Sequence, residues 1–394
     1  MSATRAVRLA LAGLAHVVEA GYPPLRRAVE QHGPVAVWEA LRTGRSGVGL
    51  GPDLTAAAAA RAHGHDPAEH LRQAAACGGR LVCPEDEEWP EQRLAWEPDD
   101  LLEPPPLALW VRGGHRLDEA VERSVAVVGA RAATAYGAHL ATDWSHAFVA
   151  RGWAVVSGGA YGIDVAAHRG ALLAAPGAYA PTVAVLACGI DVAYPRGNDR
   201  VLAQVAERGL VVSELPPGAH PTRRRFIVRN RLIAGLARGT VVVEAALRSG
   251  SLATAERARL QGRHVMAVPG SLLSVMSAGC HQQMRAGATC VTSVAEVLEL
   301  VGSLGDDLAP ALRGPETMRD ALPATVRQVL DAVPVRGGTG VAALARDAGL
   351  PVLVVQQVLP PLLANGLVER SDGGWRLTAL GAGRPARAGD AGCR

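Results

Sequence analysis

Six short apolar runs in the middle of the chain, residues 124–128, 153–156, 183–187, 210–213, 240–244 and 264–268, constrain its fold more than any other feature. Valine occurs in every one, and none alternates polar with apolar residues as a strand with one wet face would. Each therefore reads as a strand buried on both faces. Stretches of helical spacing separate them, among them 134–150 and a segment running through His168 to Leu173. Strands alternating with helices in this way predict an α/β fold, a parallel sheet covered on both sides. A further run, 107–111, follows Pro104-Pro105-Pro106, whose rings neither donate hydrogen bonds nor continue a helix and so form a rigid entry.

The runs end in small-residue turns: Gly129-Ala130-Arg131, Ser157-Gly158-Gly159, Cys188-Gly189-Ile190-Asp191, Glu214-Leu215-Pro216-Pro217 and Ser249-Gly250-Ser251. Parallel sheets bind ligands beyond the carboxyl ends of their strands, so these turns are expected to converge on one crevice. They do not form a dinucleotide fingerprint. Gly129-Ala130-Arg131 lacks the second glycine for close pyrophosphate approach, and no acid ends the second strand to hold a ribose.

Charge narrows the ligand further. Residues 221–264 carry ten arginines against Glu244 and Glu256, a surplus of eight in a chain whose net charge is only +3. So local a field predicts a binding surface for a polymeric anion. A strand, a Gly/Ser turn and a helix opening near Leu252 supply an anion site in the same stretch, because the first amides of a helix lack internal partners. Every basic residue is arginine, a bias that a G+C-rich genome explains; phosphate contacts are then planar and bidentate. Phe226 lies inside the arginine cluster and is one of only two phenylalanines. Three successive side chains cannot all enter one crevice, so Arg224 and Arg225 read as a solvated face.

The flanks are of other kinds. Residues 1–75 read as a small helical module of SAM or helix-hairpin-helix type with Gly/Pro turns, and 85–103 as an acidic, solvated run. Residues 303–319 read as a linker and 381–394 as a disordered tail. Between them, three helical patterns and a run at 367–377 broken by Asp372-Gly373-Gly374 predict a winged helix over 320–380. Its would-be recognition helix contains no arginine, and Pro360-Pro361 are expected to distort its end. It is not expected to read a duplex.

The six cysteines, Cys77, Cys83, Cys188, Cys280, Cys290 and Cys393, include no C-x-x-C pair and read as reduced thiols of a cytoplasmic protein. Cys280, His281 and Cys290 are weak metal ligands by spacing, and no metal or cofactor is expected. No apolar run is long enough to span a membrane. Asp164 and His168, one helical turn apart, read as an ion pair or a polar helix end rather than a catalytic couple. Glu244 could act as a general base, which leaves a nucleotide or phosphoribosyl hydrolase as the alternative function.

The motifs VGARAATAYG (128–137), SGGAYGIDVAAHRGAL (157–172), ACGIDVAYPRGN (187–198), SELPPG (213–218), FIVRNRLIAGLARGTVVVEA (226–245), SGSLATAERARLQGR (249–263) and AVPG (267–270) resemble the DprA/Smf family, DNA-processing protein A. GRLVCPEDEEWPEQR and PPPLALWVRG are similar to the family's entry into the same domain. The resemblance implies an extended Rossmann domain over 76–302 that binds single-stranded DNA, dimerises and loads RecA during transformation or recombination. It implies a phosphate grip by Arg131 and a base contact by Phe226, with Arg196 and Arg223 standing where relatives often carry lysine. Ala130 replaces the family's usual serine and loses a hydroxyl. With the arginine cluster, the expected nucleic-acid contacts are Gly129, Arg131, Ser157, Gly158, Arg196, Arg223, Phe226, Arg229, Asn230, Ser249, Gly250 and Ser251. Related hydrolases place a P-G-G-x-G-T loop before their glutamate's helix; here Ser249-Gly250-Ser251 follows Glu244 instead.

Overall fold

The computed structural model describes residues 2–97, 103–174, 179–303, 307–309 and 318–382. Two compact units, Met1–Ala309 and Pro310–Arg394, make up the chain. The first begins with five helices, α1 (Arg5–Val17), α2 (Pro23–His32), α3 (Pro34–Thr43), α4 (Pro52–Ala62) and α5 (Pro67–Ala76). Proline occupies the first position of α2 to α5, where its missing N–H costs no intrahelical bond and its fixed φ suits the turn. The helices close over their own core, including Leu14, Val37, Trp38 and Leu41. Arg8 of α1 reaches Asp86, its Nη2 2.8 Å from the carboxylate, and so ties this module to the start of the sheet domain.

The rest of the unit is a nine-stranded sheet. Along the chain run β1 (Gly79–Val82), α6 (Glu91–Leu94), β2 (Leu109–Arg112), α7 (Leu117–Glu122), β3 (Ser124–Val128), α8 (Ala135–Ala150), β4 (Ala154–Gly158), α9 (Ile163–Leu173) and β5 (Thr182–Val185). Next come α10 (Asp199–Arg208), β6 (Leu210–Ser213), α11 (Arg223–Leu236), β7 (Gly239–Val242), α12 (Ser251–Leu260), β8 (His264–Ala267), α13 (Ala278–Arg285), β9 (Thr289–Cys290) and α14 (Val294–Val301). The strand order is β1-β2-β6-β5-β4-β3-β7-β8-β9. Strands β3 to β9 are parallel, as the apolar runs predict. One edge departs from that expectation: β1 and β2 are antiparallel to each other, and β2 to β6. Among the described residues only the one-turn helix α6 lies between β1 and β2, and no crossover helix forces them parallel.

Both faces of the sheet are covered, which is why its strands show no alternation. Val125, Val127 and Val155 pack with Trp144 and Phe148 of α8 and Ala167 of α9, whereas Ala126, Val128 and Val156 pack with Leu232 and Ile233 of α11 and Ala255 of α12.

The second unit holds α15 (Ala324–Ala332), α16 (Val341–Asp347), α17 (Val352–Ala364) and the hairpin β10 (Val368–Ser371) and β11 (Gly374–Leu377) around their own core. This is the arrangement of three helices and a wing. Helix α17 runs through Pro360 and Pro361 to Ala364. Most of the linker and tail read from the sequence, 304–306, 310–317 and 383–394, lies outside the described residues. No single helix among the described residues is long and apolar enough to cross a membrane.

Candidate nucleic-acid interface

The strand order reverses between β3 and β7, and a doubly wound sheet opens its crevice at such a point. Here the α8 end of that crevice is filled by the protein itself. Ala130 N donates to Glu244 O at 2.7 Å, drawing the β7 turn across the β3 turn. The buried Glu244 carboxylate then accepts from Thr134 N at 2.9 Å and from Thr134 Oγ1 at 2.6 Å, while Thr134 Oγ1 caps Gly137 N. The helix N-terminus that would hold a pyrophosphate already holds a carboxylate. Glu244 is thus a capping group, each of its carboxylate oxygens accepting one hydrogen bond from Thr134.

Beside it, α11 crosses the ends of β4 and β5. Arg229 points inward and donates through Nη1 to Val185 O. It is buried beside Asp164, whose carboxyl is pushed up to about 6 by burial, against the pull of Arg229. Burial likewise lowers the Arg229 guanidinium from its ordinary value, with Asp164 opposing the shift. Gly158 makes this packing possible, since a Cβ there would lie 2.6 Å from Asp164 Oδ2 and 2.8 Å from both terminal nitrogens of Arg229. The Ser157 hydroxyl is buried and donates to Val127 O at 2.6 Å. His168 does not pair with Asp164; its Nε2 meets Gly158 O at 2.9 Å and its Nδ1 meets Thr182 Oγ1 at 2.7 Å. Gly129, Ser157, Gly158 and Arg229 therefore form the floor beneath the crevice, with their polar groups turned to the protein.

The rim is different. Phe226, half-buried in the first turn of α11, belongs to none of the apolar cores. Its ring lies 5.1 Å from the Arg131 guanidinium carbon, 5.8 Å from that of Arg229 and 5.7 Å from the ring of Tyr194. Two loops, those after β3 and β5, thus meet α11 at one aromatic side chain. Asn198 holds the loop after β5 in place, donating from Nδ2 to Gly159 O at 2.9 Å and Ala160 O at 3.1 Å. Gly162, with φ of +79°, turns the chain so that exposed Tyr161 stands beside that loop at Gly197. Tyr161 and Tyr194, 49% and 44% exposed, are flat surfaces on the rim that the arginine count did not single out. The signal was present as Tyr-Gly and Tyr-Pro dipeptides inside the turns.

Part of the arginine surplus is neutralised inside the protein. Arg225 pairs with Glu19 of the helical module at 2.7 Å, Arg231 with Glu214 at 2.8 Å, Arg257 with Glu103 at 2.7 Å, and Arg259 with Glu256. Arg225 is therefore a tether between the module and α11 rather than part of a solvated face, and it holds the Glu19 carboxyl below its ordinary range. Arg238 and Arg263 donate to backbone carbonyls of Glu122, Val301, Gln92 and Arg93. Arg223, Arg224 and Arg248 of the stretch, with Arg131 and Arg196 from other loops, are exposed and form no ion pair among the described residues. These five make the open basic surface. At its edge Asn230 Nδ2 donates to Gly250 O at 3.4 Å. The turn there is closed by its own bonds, Ser249 Oγ to Ser251 Oγ at 2.7 Å and the amides of Leu252 and Ala253 to Ser249 O and Gly250 O. Its amides are less open to an anion than the strand-turn-helix pattern implied.

Residues 80–302 match the sequence profile of the family DNA recombination-mediator protein A. The chain belongs to that family. It is 43% identical over 390 residues, 97% of each chain, to the putative DNA processing protein DprA of Mycobacterium tuberculosis (strain CDC 1551 / Oshkosh). It is 37% identical over 277 residues to Protein Smf of Escherichia coli (strain K12), covering 68% of this chain and 71% of that one. The X-ray structure of DNA processing protein A from Streptococcus pneumoniae matches with a TM-score of 0.60 at 30% identity, over 77% of this chain and 100% of that one. The profile spans the whole sheet and its crevice, and membership of DprA/Smf makes the chain a DNA-processing recombination mediator.

Proposed function

We propose that this mediator binds single-stranded DNA across the rim of the crevice and, as a homodimer through the sheet domain, hands the strand to RecA in the cytoplasm. Arg131, Arg196 and Arg223 carry phosphates, Phe226 takes a base, and Gly129, Ser157, Gly158 and Arg229 hold the floor that positions them. Asn230 and the Ser249, Gly250 and Ser251 turn continue the path towards α12. Single strands are held without sequence preference by this combination of backbone-tracking cations and aromatic faces. The observation that carries the reading is the convergence of Arg131 and Tyr194, from two separate loops, on Phe226 of α11, bordered by arginines that form no ion pair among the described residues. The protein acts by binding rather than catalysis, which the capping role of Glu244 supports.

A salt titration tests this. Labelled oligo-dT should bind more tightly than a duplex of equal length, and Arg131→Ala and Arg223→Ala should each flatten the log-log salt slope by about 0.7, the value for one phosphate contact on a single strand. Affinity unchanged in both variants would overturn the site. Protein-covered strands should also nucleate RecA faster, read as RecA-dependent ATP hydrolysis. Base release from nucleoside monophosphates that disappears in Glu244→Gln would favour the hydrolase instead.

A further inference from the structure

Far from the crevice, three histidines converge in the helical module. His16 lies in the last turn of α1, His65 on the loop between α4 and α5, and His70 on α5. One ring nitrogen from each falls within 4.8 Å of the other two. The rings of His16 and His65 stack at 3.7 Å, and His70 Nε2 lies 3.1 Å from His16 Nδ1. Beneath them His70 packs edge-on against Trp110 of β2, their ring centroids 6.4 Å apart. Strand β2 is four places from β3 in the sheet, about 19 Å at the usual strand spacing, so this cluster is separate from the DNA rim.

We propose that His16, His65 and His70 form a binding site for a zinc-class transition metal ion that pins the α4–α5 loop to α1. The ligand set argues for it. Two zinc-bound nitrogens at about 2.0–2.1 Å in tetrahedral geometry lie about 3.3 Å apart, close to the separation of His70 Nε2 and His16 Nδ1. His65 Nε2 is buried with no hydrogen-bond partner, an unmet capacity that native interiors rarely leave. Uptake asks little of the framework, because His65, the one ligand on a loop, need only turn out of its stack. Three imidazoles and an open fourth position suit Zn2+, and also Ni2+ or Cu2+, over the oxygen-seeking Mg2+ and Ca2+.

The electrostatics are consistent with that geometry. Burial and mutual repulsion keep the rings in the neutral form that binds metal, with His16 lowered to about 4 and His65 and His70 also lowered, chiefly by burial. Asp66 lies near His65, and Glu69 and Asp191 near His70, with Arg72 paired to both Asp66 and Glu69; Arg61 is the cation beside His16.

The test uses the full-length, tag-free protein stripped of metal. Titrated with Zn2+ against a chromogenic chelator at neutral pH, it should take up one ion per chain and melt at a higher temperature. Co2+ in its place should show the visible bands of a tetrahedral nitrogen site without the near-ultraviolet charge transfer of a thiolate, which excludes Cys290 as the ligand. Outer contacts alone are worth 10–100-fold in metal affinity, so H65Q/H70Q should weaken uptake by on the order of 100-fold or more. H16Q serves as a second variant, and circular dichroism confirms that each is folded. Equal stoichiometry and affinity in wild type and a folded variant, a thiolate band with Co2+, or no uptake by the wild type overturns the proposal.

Discussion

Arg131 and Arg229 flank the same phenylalanine and have opposite roles. Arg229 is sealed against Asp164 and Val185 O, whereas Arg131 is open to solvent and free to meet a phosphate. Phe226 between them contributes stacking, which alanine substitution puts at about 1–3 kcal/mol per base. Phe226→Ala should therefore lower oligo-dT affinity by that amount at every salt concentration and leave the salt slope unchanged, the reverse of Arg131→Ala. A shallower slope for Phe226→Ala would mean that the ring supports a cation and not a base. The buried floor also titrates. His168, lowered to about 4 by burial, binds its proton later in the fold than in the unfolded chain, where about 6.5 is usual. Its contribution is complete above pH 6.5 and is lost as the pH falls towards 4, about 3 kcal/mol in all. Asp164, raised to about 6, acts with the opposite sign between its unfolded value and pH 6. The two oppose each other in wild type. His168→Gln should leave the Asp164 effect exposed, so that urea stability at pH 4.5 relative to pH 6.5 is higher in the variant than in wild type. Parallel pH profiles would refute that assignment.

At the scale of elements, α11 joins the parts of the first unit. From its successive turns Arg225 grips Glu19 of the helical module, Arg229 the end of β5, and Arg231 both Glu214 after β6 and Pro104 O before β2. The Arg231 side chain is fully buried, and burial raises the Glu214 carboxyl above its ordinary value even with that partner present. Removing one member of such a pair strands the other. Glu214→Ala should cost about 3–5 kcal/mol in urea unfolding, and Glu214→Leu combined with Arg231→Met should recover most of it. Equal losses in the single and double variants would show that packing, not the stranded charge, sets the cost. The helix thus commits most of its cations to architecture, which is why a count of arginines overstated the binding surface.

For the whole molecule, every proposed DNA contact lies in the first unit. The second offers α17, whose outward residues Val352, Leu353, Gln356 and Gln357 include no cation. A chain ending at Ala309 should hold oligo-dT within a few-fold of full length, and the unit after it should not select a duplex sequence; large loss in the first or selective binding by the second would reassign the contacts. The central strands were legible because a strand buried on both faces must be apolar throughout. The proline-led helices were legible because proline marks a first turn. The antiparallel edge was not, since an apolar run does not encode strand direction, and that of β1 is set by pairing with β2. Motif order likewise placed Arg131 and Phe226 in one site. Which arginines stay free, that Glu244 caps α8, and that His16 faces His65 and His70 were decided only by folding. Charge and spacing are properties of the chain, but whether a charge is paired or a ring nitrogen satisfied depends on partners that tertiary packing alone brings within reach.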